Sequence, residues 1–533
     1  VNIKVLFISI GYLSIEEGAN RMSNKKFLFL SLVAGAVLAV IRMLFAKTAP
    51  EKPTSKGASY EVIDDYIQGQ MRRLNIPGVS LAIVEGDRIV HYRGFGRARP
   101  GGEAPTPQTP FFIGSLTKSF TALAIMQLVE AGKVELDAPV QRYLPWFRVA
   151  DPQASAQMTV RHLLNQTSGL PVLPGELALT DFDDSPNATE RQARALSGLE
   201  LTRPVGSKFE YSNLNYNLLG LILEATSGES YTDTIQNHIF DPLEMRHSYT
   251  SKAAAQHDSL AMGHRHWFSL PFPAPNLPVP RGSLPSGWLI SCAEDMAHYL
   301  IAHLNGGRYG GLQILSEAGI DELHRGVREY IVGSIFSGKY GMGWFDVDLG
   351  QTKTYSHAGN VPNFSAFMAL IPKHKKGVVM LLNADPYGLP PITEEFGLGV
   401  TAILAGQQPA PIRLDFVQWI MRSLPLIPLL HVLGILATLR SLRRWRADPA
   451  LRPTSGRLWG QHILLPLLPN LSFAAITVYL RSSGLLRFMH FFMPDLAWIA
   501  RICGGIAGVW AFLRTGLILQ TLRKSLAPNT LRG

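Results

Sequence analysis

Residues 111–120 read FFIGSLTKSF and run into the alanine-rich stretch TALAIMQLVEAGK, 121–133. The spacing of apolar residues predicts a helix from Leu116 to about Ala131. Ser115 and Lys118 stand three residues apart at its start, so they share one face. A free serine is a poor nucleophile and needs a neighbouring base. A partly buried lysine loses its proton more readily, because desolvation disfavours the ammonium. Backbone N–H groups at a helix start favour negative charge developing on a serine oxygen. S-x-x-K at a helix start therefore supplies a nucleophile with its own base. Alone the spacing is not specific: Ser23-Asn24-Lys25-Lys26 repeats it, and a helix start with a lysine reaching out to solvent would look the same.

Outward from this stretch, 51–411 has mixed texture. ASYEVIDDYIQGQMRRLN (58–75) has helical spacing, and VSLAIVEGDRIVHYRGFG (79–96) reads as a hairpin turning at Glu85-Gly86-Asp87. A second helix is expected from Asn215 to about Thr226. KTYSHAG, FSAFMALI and GVVMLLNA, all between 353 and 384, read as strands. Strands at both ends with helices between them predict an antiparallel sheet built from the two termini, with a mostly helical insert. FSLPFPAPNLPVPRG (268–282) reads as a loop.

Two further stretches keep company with Ser115 and Lys118. FEYSNLNYNLLG carries Tyr211-Ser212-Asn213, and YSHAGN carries His357-Ala358-Gly359. With these, the region 58–405 resembles the serine β-lactamase and penicillin-binding-protein superfamily, in particular its class C-like branch of D-Ala-D-Ala peptidases, D-amino peptidases and esterases. That family carries S-x-x-K, then Y-x-N, then a K-T-G or H-x-G strand, in this order. TVRHLLNQTSGLP (159–171), DPLEMRHSYT (241–250) and PSGWLISCAEDMAHYL (285–300) also match its habits. The resemblance implies an α/β (α+β) architecture of the β-lactamase/transpeptidase-like fold: an antiparallel sheet flanked by helices, plus a helical subdomain. It does not extend over the C-terminal apolar stretches.

Carried over by the resemblance, Ser115 is acylated and Lys118 relays its proton. Tyr211, as phenolate or through Lys118, is the general base and later protonates the leaving group. Asn213 bonds substrate and Lys118. The N–H groups of Ser115 and Asn360 form the oxyanion hole, and Gly359 lets the strand approach substrate. His357 stands where penicillin-processing members more often carry lysine. Histidine is neutral for much of the time at pH 7, which favours an esterase, or a peptidase of different substrate polarity, over a β-lactamase or carboxypeptidase. No metal and no organic cofactor is implied. GHRHW (263–267) lacks a third ligand and reads as a surface segment. Asp137 reads as a turn residue, Asp181, Asp183 and Asp184 as a solvated loop near the cleft rim, and Trp288 equally as pocket lining or core.

The ends differ from the middle. The whole chain carries +10, yet 15 Lys/Arg face only 3 Asp/Glu after Pro411, while 51–411 is mildly acidic. Basic charge beside apolar ends fits membrane topology and argues against nucleic acid as a partner. Residues 1–50 read as a signal or membrane anchor: Lys25 and Lys26 precede an apolar run from Phe27 to Ile41, and the first 21 residues read as an upstream extension before Met22. Apolar stretches near 416–439, 462–480 and 492–513 predict a three-helix transmembrane region over 412–533. The arginine-rich loop RSLRRWRADPALRPTSGR places 440–461 and the C-terminus in the cytoplasm, so the 51–411 domain lies outside. Cys292 and Cys503 are not expected to pair.

The expectation is a membrane-anchored serine hydrolase acting on an ester or amide of a small molecule or peptide, peptidoglycan stem peptides among them. The alternative is a penicillin-binding or sensor protein that is acylated but turns over poorly. A membrane-assembly protein with a vestigial enzyme domain is a third reading, opposed by the intact triplet of motifs.

Overall fold

The computed structural model describes residues 59–332, 336–385, 390–412 and 415–523. The signal or anchor expected within 1–50 lies outside these residues.

Helix α1 (Ser59–Leu74) opens the described chain, followed by strands β1 (Gly78–Glu85) and β2 (Arg88–Gly96). Gly86, at φ +60°, makes their turn, a conformation that glycine adopts without strain. Helix α2 (Thr117–Glu130) carries the alanine-rich run, and α3 (Val172–Ala178), α4 (Asn213–Ser227) and α5 (Ala293–Leu304) belong to the helical insert. The chain then lays down β3 (Arg328–Val332), β4 (Phe336–Tyr340), β5 (Phe345–Leu349), β6 (Thr352–Val361), β7 (Phe364–Ile371) and β8 (Lys376–Leu382), and α6 (Pro390–Leu404) follows. The sheet order is β2-β1-β8-β7-β6-β5-β4-β3, and every pairing is antiparallel.

The two termini of the domain meet at β1 and β8, where Val79 faces Leu382 and Glu85 faces Lys376. Strand β1 is buried on both faces because helices cover both. Its side chains alternate: Val79, Leu81 and Ile83 enter one core with α1 and α6, while Ala82 and Val84 enter the other with α2 and α5. Truncating one of these large aliphatic side chains to alanine costs about 2–5 kcal/mol. The second core contains Ile113 and Leu116, close on either side of Ser115, so the serine turn is fixed by packed apolar residues.

GHRHW corrects the sequence reading. It is strand His264–Trp267, paired with Leu270–Pro273 from the expected loop, and His264 and His266 are buried. His264 Nδ1 lies 3.2 Å from the carbonyl of Asn383 and His266 Nε2 lies 3.2 Å from that of Asn75. Alternation of buried histidine with half-exposed neighbours is a strand pattern written in polar residues. Trp288 is core: it is 1% exposed and meets Phe112 edge-on. The cysteines are free and buried.

Beyond the sheet, Val417–Ala447, Ser455–Ser482 and Pro494–Arg523 are long and apolar enough to cross a membrane. They include α7 (Leu426–Ala447), α8 (Leu465–Ser482) and α10 (Pro494–Arg523), with the short α9 (Leu485–Phe492) between the last two.

Candidate active site

Ser115 occupies a single 3-10 turn, Gly114–Leu116, that feeds α2. Gly114 has φ +55°, and a Cβ there would meet the backbone nitrogen of Asn360 at 2.5 Å. Only glycine fits. The turn is therefore pressed against β6, and Gly359 shows the same contact from the other side: a Cβ on it would lie 2.1 Å from the Ile113 carbonyl and 2.9 Å from the Ser115 nitrogen. This close approach makes the backbone nitrogens of Ser115 and Asn360 neighbours.

One turn on, Lys118 is fully buried while Ser115 remains partly exposed. Its Nζ lies 3.0 Å from Ser115 Oγ, 2.7 Å from Asn213 Oδ1 and 2.6 Å from the Ser286 carbonyl. Carbonyl oxygens only accept. A neutral amine thus gives its two N–H groups to Asn213 and Ser286 and keeps its lone pair for the Ser115 hydroxyl. Burial pulls the Lys118 pKa down to about 7, against the opposing pull of the Glu176 carboxylate.

The second motif is braced by the TSGLP segment. Gln166, at φ +56°, accepts from the Ser212 N–H at 2.9 Å and from the Asn215 amide, and the Ser212 hydroxyl donates to the Pro171 carbonyl at 2.9 Å. These bonds hold Ser212 extended just before α4, which turns Tyr211 and Asn213 into the same cleft. The Tyr211 hydroxyl bonds with Ser115, and Lys118 Nζ lies 4.8 Å from the Tyr211 ring centre. Burial, reinforced by Tyr340, pushes the Tyr211 phenol well above its ordinary value.

His357 is buried beside Phe345, Tyr340 and Tyr211, with ring centres 5.0, 6.2 and 6.3 Å away. Its Nδ1–H donates to the Ala358 carbonyl at 2.6 Å, and its Nε2 has no protein partner among the described residues. Burial first, then Lys118, push its pKa down to about 3, so it is neutral at physiological pH. The Asn360 amide donates to Asp385 Oδ1 at 2.7 Å and to Thr393 Oγ1 at 3.1 Å. Its side chain points away into the protein, while its backbone faces the serine turn.

The structure thus brings together Ser115, Lys118, Tyr211, Asn213, His357, Gly359 and Asn360. Two residues without a sequence signal join them. Glu176 on α3 accepts from Asn213 Nδ2 at 3.2 Å, and its charge acts on Lys118 and Tyr211. Asp385, just beyond β8, anchors Asn360, and burial pushes its pKa up to about 8. Asp181 and Asp183 pair with Arg191 instead of standing free in solvent, and Asp137 pairs with Arg161 from its turn. Among the described residues no cluster of three or more His, Cys, Asp or Glu is placed to hold a metal ion.

The family model described as Beta-lactamase matches residues 63–395. "Protein flp" of Staphylococcus aureus (strain MW2) is 30% identical over 344 residues, covering 63% of this chain and 65% of that protein. The chain therefore spans just under two thirds of that relative's length. "Penicillin-binding protein 4" of Amycolatopsis lactamdurans is 30% identical over 314 residues, covering 58% of this chain and 80% of that one. Among solved structures, the octameric penicillin-binding protein homologue from Pyrococcus abyssi superposes with a TM-score of 0.57 at 31% identity, over 65% of this chain and 77% of that one.

Proposed function

The chain belongs to the beta-lactamase family, and on that premise we propose that it is a membrane-anchored serine hydrolase that forms an acyl-enzyme on Ser115 and hydrolyses it. The observation that carries this reading is the set of three contacts at Lys118 Nζ: two carbonyl acceptors take its hydrogens and leave its lone pair for the Ser115 hydroxyl.

Lys118 takes the proton as Ser115 Oγ attacks the substrate carbonyl carbon. The oxygen of that carbonyl becomes negative between the N–H groups of Ser115 and Asn360, whose backbones the close approach at Gly114 and Gly359 brings together. As the tetrahedral intermediate collapses, the carbon–leaving-group bond breaks and the leaving group takes a proton through Tyr211, whose phenol bonds with Ser115. Water then attacks the acyl carbonyl, and the same groups act in reverse. The high Tyr211 pKa makes Lys118 the base and Tyr211 a neutral relay.

His357 narrows the substrate. A neutral imidazole among Phe345, Tyr340 and Tyr211 offers no fixed cation to a substrate carboxylate, which favours esters and uncharged amides over peptides ending in a free carboxylate. The names of two relatives support a second reading, a penicillin-binding protein that is acylated and stalls. By the arginine distribution in 440–461, the hydrolase domain sits outside the cytoplasmic membrane.

The test is release of p-nitrophenol from p-nitrophenyl acetate by the full-length protein in detergent. Sustained turnover, lost in Ser115→Ala, supports the hydrolase. A single burst equal to the enzyme concentration supports the stalled acyl-enzyme. Turnover unchanged in Ser115→Ala refutes both.

A further inference from the structure

The membrane region touches the active-site wall. Helix α9 (LLRFMHFF) is the link between two apolar spans, so it lies at the membrane surface, on the same side as the hydrolase domain it contacts. Arg487 Nε donates to Thr180 Oγ1 at 3.2 Å, just beyond α3, and Leu177 of α3 abuts Gly484. Phe491 meets Phe182 edge-on with ring centres 4.8 Å apart, and the Arg265 guanidinium lies 5.6 Å from the Phe491 ring centre. Asp495, at the start of α10, accepts the Phe268 N–H at 3.0 Å. The hydrolase domain is thus seated on one end of the apolar bundle, with α3 beside the seat.

The other end of α3 belongs to the site. Its preceding residue, Pro171, accepts from Ser212, and a Cβ on Gly175 would meet the Asn213 nitrogen at 2.8 Å. Between these two contacts Val172 and Leu173 stand 42% and 40% exposed. Val172 and Leu173 are thus an exposed apolar pair on a helix that packs against Ser212 and Asn213 of the site and whose far end rests on α9. Substrate with a long alkyl chain gains free energy on such a pair in proportion to the apolar area it covers.

Building on the hydrolase reading above, we propose that the site takes an amphiphilic ester or amide, one long alkyl chain beside the scissile carbonyl, drawn from the leaflet on which the domain sits, and that Val172 and Leu173 hold the chain. The apolar character of His357's surroundings at the other wall fits an uncharged reacting group.

The experiment uses the full-length protein in nanodiscs of phosphatidylethanolamine and phosphatidylglycerol, with p-nitrophenyl acetate and p-nitrophenyl dodecanoate as probes. The wild type should hydrolyse the dodecanoate with a kcat/KM at least roughly tenfold above that for the acetate, the effect of about two covered methylenes. Val172→Asp combined with Leu173→Asp should abolish that preference and leave acetate turnover within about twofold, which also reports that the variant is folded. The milder pair Val172→Ala with Leu173→Ala should fall between. Equal rates on both esters in the wild type, or a preference that survives in the Asp pair, overturns the proposal. Absence of acetate turnover in the wild type would instead strike the hydrolase reading.

Discussion

Gly359→Ala tests how the close approach of β6 to the serine turn serves chemistry. Gly359 is a strand residue without a left-handed φ, so alanine has no backbone conformation to resist. Its only cost is the space for one methyl group. That Cβ would lie 2.1 Å from the Ile113 carbonyl oxygen, 2.8 Å from Leu116 Cδ1 and 2.9 Å from the Ser115 nitrogen. Relief to ordinary contact needs a separation of strand and turn by about 1 Å, and both sides are backbone held by neighbours on two cores. Misplacement on that scale costs about 100-fold in a positioned reaction, and loss of one oxyanion donor costs about 100- to 1,000-fold. The acylation rate of the full-length protein, followed by stopped-flow release of p-nitrophenol, should therefore fall by about 100- to 1,000-fold. Overpacking should also lower stability by about 1–3 kcal/mol, visible as a lower melting temperature of a still cooperative transition. Acylation within about threefold of wild type would refute the claim that the two nitrogens of Ser115 and Asn360 act as a pair.

Other changes read the base, its acceptors and the strand anchor. With neutral Lys118 as the proposed base and its pKa pulled down to about 7, acylation should rise with pH through about 7, and Lys118→Arg, which stays charged, should lose about 100- to 10,000-fold at every pH tested. Asn213→Ala leaves one Lys118 hydrogen without its acceptor, and acylation should fall by about 5- to 150-fold with a displaced pH midpoint. Asp385 keeps its proton in the fold to about pH 8, whereas an unfolded aspartate loses it near 3.9. Stability therefore falls as pH rises from about 4 through about 8, and Asp385→Asn should gain melting temperature relative to wild type at pH 8 compared with pH 5. Burial gives Glu394 a raised pKa of about 7 and the same sign, so the slope should flatten in part.

Ser115 and Lys118 are legible as a pair because a helix converts a three-residue spacing into one face, whereas Tyr211 and Asn213 are legible only through the family resemblance, whose Y-x-N motif they match. The sheet is legible in β1, β7 and β8, which are runs of buried apolar residues, and β2 follows from the turn at Glu85-Gly86-Asp87. Strands β3 and β4, REYIV and FSGKY, carry no clear sequence signal, because polar residues and glycine break their alternation. Glu176 reaches Asn213 across 37 residues and Asp385 reaches Asn360 across 25, through contacts that only the folded chain creates. His264 and His266 were misread because burial of a polar strand depends on the backbone carbonyls that receive it. The seat of α9 against Phe182 joins residues more than 300 apart in sequence, and no local pattern announces it.

The most direct measurement is intact-mass analysis with peptide mapping of the full-length protein after exposure to a fluorophosphonate probe, wild type beside Ser115→Ala. The account predicts one adduct, on the peptide that contains Ser115, and none in the variant. An adduct of equal yield in Ser115→Ala, or one placed on another residue of the wild type, would contradict it.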